Sequence, residues 1–291
     1  MINDIRIITD SASDIPDEYL ALVPEVVMLN IPMVVDGQPK RERRDFSTEE
    51  YYDILERAAE LPTTSQVTMM EYQEEYAKAF ADGIRHLIVV TITAKASNMF
   101  NAACMAKDNF YEEQPQAKEQ MTIDVIDSKE YTFIYGHAVL EGVKMIREGV
   151  DYTKIVQHLS TIPQRTGVYF GIYKLDYAKR SGRISPAAAF VGEMMGLRPI
   201  MSIVDGEVKI PYKVRGDKQT MQKVIDLFEQ EAEPDAPYTI MWATNREAME
   251  QLRDTMKARG HKNCRGIHRI GACITTNSGP TLVGMFYNKK Q

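Results

Sequence analysis

The chain has 291 residues, with 35 Lys and Arg against 41 Asp and Glu, for a formal net charge of −6. That length predicts two ordinary domains, and the acidic balance argues against a general nucleic-acid binder, which needs a basic excess to neutralise phosphates. No apolar run approaches the roughly 20 residues that span a bilayer. The opening Met1-Ile2-Asn3-Asp4 carries an acid where a signal peptide carries bases. Three scattered cysteines, Cys104, Cys264 and Cys273, make neither a disulfide framework nor a zinc cluster. These features predict a soluble protein of a reducing compartment, the cytoplasm, with no integral membrane segment. Seventeen Met against a single Trp is the one compositional oddity.

In chain order, the apolar run 5–8 reads as a buried strand closed by the polar Thr9-Asp10-Ser11. Pro16 then opens a helix. A strand is predicted over 26–35, ended by the turn pair Asp36-Gly37, and the charged stretch 38–46 reads as a solvated loop. Ser47 with Glu50 forms a capping box for a helix over 48–60. Tyr72, Tyr76 and Phe80 recur at helical spacing after the hydroxyl-rich loop 62–68. The strongest strand is 86–92. It leads through the loop 93–98 into a helix over 99–110. A strand over 123–126 ends at Asp127-Ser128-Lys129, and a helix over 137–148 stops where Gly149 can adopt a left-handed cap.

Repeated strand, polar loop and helix predict a parallel α/β sheet with crossover helices, and such sheets bind ligands beyond the carboxyl ends of their strands. After about residue 160 the rhythm changes. Strands are predicted over 168–172, 199–203, 238–243, 273–276 and 283–287, and helices over 217–231 and 246–259. The Asp205-Gly206 pair marks a hairpin. The expectation is a two-domain α/β protein: 1–160 an N-terminal domain with a parallel sheet, 161–291 a C-terminal domain with a mixed or antiparallel sheet.

No Walker loop, GxGxxG, HExxH or GxSxG is present. The five His show no metal-ligand spacing, so no zinc site, metal or cofactor is expected. The loop Asp10-Ser11-Ala12-Ser13-Asp14 admits two readings, an Asx-type turn capping the next helix or a phosphate or metal site. The loops 62–68 and 93–98 both lead into helices and carry hydroxyls. A helix start offers free N–H groups and the positive end of the dipole, so Ser97 with Thr64 can hold an anion such as a carboxylate without a counter-charge. Equally, Thr64 and Ser97 can be plain N-caps.

These residues form an ordered set that resembles the bacterial DegV family. The family's T-D-S-x-x-D-[LI]-P is matched by Thr9-Asp10-Ser11-Ala12-Ser13-Asp14-Ile15-Pro16, and its T-S-Q-P-[ST] by Thr64-Ser65-Gln66-Val67-Thr68. Its V-I-D-S-K is Val125 to Lys129, and its K-x-G-G-R-I is Lys179 to Ile184 with Ser181 for the first Gly. Its K-P-I-L-x-x-x-D-G-E is close to Arg198-Pro199-Ile200-Met201 through Glu207, and Lys213-Val214-Arg215-Gly216 follows in family order. The resemblance implies a two-domain α/β protein that binds one long-chain fatty acid, with the tail in a buried tunnel and the carboxylate between the domains. It implies a binding protein rather than an enzyme, of the kind that serves as the non-catalytic subunit of a fatty acid kinase. It also implies that Thr64 and Ser97 hydrogen-bond the carboxylate. Ser65, Thr93, Asn98, Asn277 and Ser278 complete the candidate ligand-binding set, and Arg183, Lys213 and Arg215 are candidates for docking a kinase subunit.

Two departures stand out. The family's I-S-S-x-L-S-G-T-Y keeps its last Ser as Ser97 but continues as Asn98-Met99-Phe100. The His expected near the carboxylate is Asn277, which can hydrogen-bond but cannot carry a proton at neutral pH. That bears on phosphotransfer more than on lipid binding. About 14 buried methylenes at ~0.8 kcal/mol each supply on the order of 11 kcal/mol before association costs. Adaptable Met side chains, such as Met99, Met194, Met195 or Met201, suit an acyl tunnel. The competing reading is an enzyme acting on a small carboxylate or phosphate, with Asp10, Asp14 or Asp127 as acid or base.

Overall fold

The computed structural model describes residues 4–58, 60–183 and 196–290. Ile184, Met194 and Met195, named above, lie outside the described residues. The elements in chain order begin with β1 (Ile5–Asp10), α1 (Asp17–Leu20), β2 (Val26–Leu29), β3 (Pro32–Val35), β4 (Gln38–Arg41), α2 (Thr48–Arg57), β5 (Thr63–Thr64) and α3 (Met69–Ala81). They continue with β6 (His86–Thr91), α4 (Met99–Glu113), α5 (Ala117–Gln120), β7 (Thr122–Asp127), α6 (Phe133–Arg147), α7 (Tyr152–Ser160), α8 (Ile162–Arg165), β8 (Thr166–Ile172) and α9 (Asp176–Ser181). The remainder are β9 (Leu197–Val204), β10 (Glu207–Arg215), α10 (Asp217–Glu231), β11 (Tyr238–Trp242), α11 (Arg246–Ala258), β12 (Cys264–Arg269), α12 (Ala272–Ser278) and β13 (Leu282–Asn288).

Two compact units divide the chain. One holds the residues up to Asp45 together with Thr64–Ile162, and the other holds Phe46–Thr63 together with the residues from Pro163 onward. The sequence reading describes two continuous pieces, whereas the segment carrying α2 clusters with the second unit.

The first unit is built on a four-stranded sheet in the order β2-β1-β6-β7, parallel throughout. Its central strands are buried on both faces: Ile7, Ile8, Leu87, Ile88, Val89 and Val90 are all fully enclosed. Such strands read as continuous apolar runs rather than alternating ones. Helix α3 packs on α4 and α6 on α7. Tyr72 and Tyr76 turn inward on α3, as their spacing predicts, and the Tyr76 hydroxyl donates to Ala103 O (3.0 Å). Gly149 adopts φ +72° after α6, the left-handed cap expected there.

The predicted strand 26–35 is two strands in two sheets. β2 pairs with β1, whereas β3 pairs antiparallel with β4 across the Asp36-Gly37 turn. The chain leaves the first sheet at Ile31, whose N–H donates to Ser11 Oγ (3.0 Å), and Pro32 has no N–H to continue a ladder. The charged stretch 38–46 is largely solvent-exposed, as expected, but it is not all loop. Its first four residues are β4, and Glu42 is fully buried.

The second unit carries a six-stranded mixed sheet in the order β10-β9-β8-β13-β11-β12. β11 and β12 are parallel and the other neighbours antiparallel. Asp205 and Gly206 both have positive φ (50° and 80°), so the predicted hairpin forms between β9 and β10. Met221, Val224, Ile225 and Phe228 of α10 pack on Leu252 and Met256 of α11 and on Ile240 and Met285 of the sheet. The stretch 273–276, predicted as a strand, is helix α12. Gly271 precedes it, and the Thr276 hydroxyl donates back to Ala272 O (2.7 Å), satisfying the buried hydroxyl within the helix. Strand β12 shows no alternation (its burial is mixed throughout) and was not predicted.

Candidate functional site

The carboxyl ends of β1, β6 and β7 carry three of the loops that the sequence singles out, 9–14, 93–98 and 127–130. Asp10 ends β1 and is fully buried. Its Oδ1 accepts from Ala12 N (3.1 Å) and from the Tyr135 hydroxyl of α6 (2.7 Å), and its Oδ2 accepts from Ile92 N (3.1 Å). Burial pushes the Asp10 carboxyl up from an ordinary 3.8 to about 6, the three hydrogen bonds pulling back and the Glu42 charge adding to the rise. Ser11 donates to Glu42 Oε2 (2.5 Å), and Thr132 donates to Asp14 Oδ2 (2.5 Å). Of the two readings of this loop, the structure has the turn: Asp10 caps a 3-10 turn over Ser11–Ser13. Among the described residues no group of three or more His, Cys, Asp or Glu is arranged to hold a metal ion.

The loop after β6 carries Thr93, Ser97 and Asn98. Thr93 is fully buried. Its N–H donates to Glu130 O (3.1 Å), its hydroxyl oxygen accepts from Lys95 N (3.2 Å), and its carbonyl accepts from Ala96 N and Ser97 N (3.1 and 3.3 Å). Asp127, at the end of β7, accepts from Ala94 N (3.1 Å) and Lys129 N (2.9 Å) through one oxygen. Ser97 is half-buried and Asn98 exposed. Helix α4 is 15 residues long, and its N-cap Asn98 makes no side-chain capping bond; the Asn98 Oδ1 instead accepts from Asn101 Nδ2 (2.7 Å). The first amides of such a helix have no partner within it and face the positive end of the dipole.

Neither Thr64 nor Ser97 is an N-cap, so that alternative is removed. The cap of α3 is Thr68, in a reciprocal box with Glu71. Thr64 is half-buried at the end of β5, and the exposed Ser65 donates its N–H to Pro32 O (2.9 Å). Thr93, Ser97 and Asn98 thus share one loop, and Thr64 and Ser65 lie on a separate segment of the same unit.

In the second unit, Asn277 and Ser278 form the last turn of α12, not the end of a strand. Asn277 Nδ2 donates to Cys273 O (2.8 Å), and the Ser278 hydroxyl donates to Gly279 O (3.2 Å). The Tyr51 hydroxyl bonds to Thr276 Oγ1, and the Tyr52 hydroxyl donates to Ile270 O (2.5 Å), so α2 flanks this helix. The Arg269 guanidinium lies over both the Tyr52 and Trp242 rings, 4.3 and 4.2 Å from their centroids. Lys213 and Arg215 alternate on one face of the exposed edge strand β10; Arg183 follows α9, with Nη1 donating to Ser181 O (2.6 Å). Sequence reasoning missed Glu42, Tyr135 and Arg269, whose partners lie 31, 125 and more than 200 residues away.

The family model described as an uncharacterised protein of the DegV family matches residues 4–290. A DegV domain-containing protein of Caldanaerobacter subterraneus is 27% identical over 289 residues, covering 98% of this chain and 99% of its own. A solved DegV family protein from Thermus thermophilus, described by its fatty acid binding, superposes with a TM-score of 0.86 at 23% identity, over 99% of this chain and 100% of that one. A stearic acid-binding protein from Eubacterium ventriosum superposes with a TM-score of 0.83 at 22% identity, over 98% of each chain. Among the described residues no helix is long and apolar enough to cross a membrane. With ordered motifs, two α/β units and a family match along its described length, this chain belongs to the DegV family.

Proposed function

We propose that the protein binds one long-chain fatty acid, with its carboxylate hydrogen-bonded by Ser97 and Thr64 and its tail sequestered from water in a buried tunnel. The observation that carries this reading is the amino end of α4, a 15-residue helix whose N-cap Asn98, the residue after Ser97, makes no side-chain capping bond. Helix amides and a hydroxyl hold an anion without a fixed counter-charge. That suits a carboxylate whose affinity comes from its tail. The stearic acid-binding relative supports the choice of ligand. Met99 in the first unit and Met201 in the second are buried apolar side chains of the adaptable kind that acyl chains favour. Asp10 and Asp127 accept backbone amides, which supports a binding role over the acid–base chemistry of the enzyme reading. Organic extraction of purified protein followed by mass spectrometry tests the reading. An acyl species of long chain is expected, and protein that carries none and takes none up from added fatty acid overturns it.

The same reading extends to presentation of the bound carboxylate to a kinase subunit, with Lys213 and Arg215 offering two like charges from one face of an edge strand. Asn277, where the resemblance leads one to expect His, contributes a hydrogen bond but no proton. Pull-down of a fatty acid kinase subunit with the Arg183→Glu/Arg215→Glu variant is expected to fail, and retention at wild-type strength removes the docking assignment.

A further inference from the structure

Strand β6 is flanked in the sheet by β1 on one side and β7 on the other. Each neighbour ends in an aspartate, and each aspartate reaches the loop that leaves β6. Asp10 Oδ2 accepts from Ile92 N (3.1 Å), and Asp127 Oδ1 accepts from Ala94 N (3.1 Å). Between them Thr93 N donates to Glu130 O (3.1 Å). Three consecutive amides, 92, 93 and 94, are thereby held, the first by the end of β1, the second by the loop after β7 and the third by the end of β7. The turn that follows closes on Thr93: its carbonyl accepts from Ala96 N and Ser97 N. The orientation of Ser97 and of the amino end of α4 is therefore inherited from the clamp.

We propose that Asp10 and Asp127 are positioning residues for fatty-acid binding, a pair of carboxylates that clamp the 92–94 backbone from the two flanking strands and so hold Ser97 and the start of α4 in register with the ligand's head group. The inference rests on the fatty-acid reading above. Neither carboxylate needs to touch the ligand. The two differ in what an amide can replace. Asp127 takes both of its bonds on one oxygen, so Asn can present the same carbonyl oxygen to the same two donors. Asp10 accepts three donors on two oxygens, and Asn would turn an N–H₂ toward at least one of them.

The test is titration of a fluorescent long-chain fatty acid into the full chain, with folding followed by circular dichroism and the loop by amide NMR shifts. Asp127→Ala is expected to raise Kd about tenfold and to move the Ala94–Asn98 resonances, and Asp127→Asn is expected to restore Kd to within about threefold. Asp10→Asn is expected to weaken binding and to move the Ile92 resonance. Folded Asp127→Ala protein that binds like wild type with unmoved loop resonances overturns the proposal. Should the variants not fold, amide exchange in the wild-type protein decides. Protection of Ile92 and Ala94 is expected, and exchange at the rate of an open loop overturns the clamp. Wild-type protein that binds no fatty acid refutes the underlying reading, whereas wild-type binding with indifferent variants refutes the clamp alone.

Discussion

Asp10 shows how one buried carboxylate can hold a loop at an electrostatic cost. Its shift from 3.8 to about 6 is worth about 3 kcal/mol. Because the folded state binds the proton more tightly than the unfolded chain, this contribution to stability is complete below pH 3.8 and is lost as pH rises through about 6. The stability difference between wild type and Asp10→Asn should therefore fall by about that amount between pH 4 and pH 7, read from urea unfolding at each pH. A flat difference would mean that Asp10 titrates normally. At the proposed head-group site, Ser97→Ala and Thr64→Ala would each remove one hydrogen bond to a charged group, worth about 1.5–3 kcal/mol. Each should weaken fatty-acid binding by at least about tenfold, read by titration of a fluorescent long-chain fatty acid. The motif reading reached these residues directly. It could not reach Tyr135 or Glu42, because nothing near them in the chain marks their partners.

Elements carry their own signals and their own exceptions. The capping box of α2, the left-handed Gly149 and the Asp205-Gly206 hairpin were legible because each is decided within a few residues. Helix α12 was not, since Thr275 and Thr276 favour strands by propensity, yet both are buried in a helix of the second unit. Helix α6 lies against the turn that Asp10 caps. A Cβ on Gly136 would stand 2.1 Å from Ser13 O, a backbone atom that cannot move aside cheaply. Gly136→Ala should destabilise the protein by about 3 kcal/mol. Gly142→Ala meets only side-chain methyls at 3.2 Å and beyond, and should stay within about 1 kcal/mol of wild type. Denaturant midpoints distinguish the two.

At the scale of the whole molecule, an acidic protein of net charge −6 is proposed to bind an anion, so local dipoles and hydroxyls must do what net charge does not. Binding to the folded state alone should raise its stability by about 2.7 kcal/mol when free fatty acid is at 100 times Kd, measured as a rise in the thermal midpoint that disappears in the Ser97→Ala/Thr64→Ala double variant. By itself the sequence determined the α/β class, the parallel sheet of the first unit, the loops at its carboxyl edge and, through an ordered set of motifs, the family. Burial periodicity and short turn chemistry are local properties, and they survive reading along the chain. The tertiary structure alone decided that 46–63 joins the second unit, that 26–35 divides between two sheets, and that Asp10 and Asp127 meet Ile92 and Ala94. Those outcomes depend on which strands become neighbours, and strand order is set by packing between residues far apart in the chain, where periodicity carries no information.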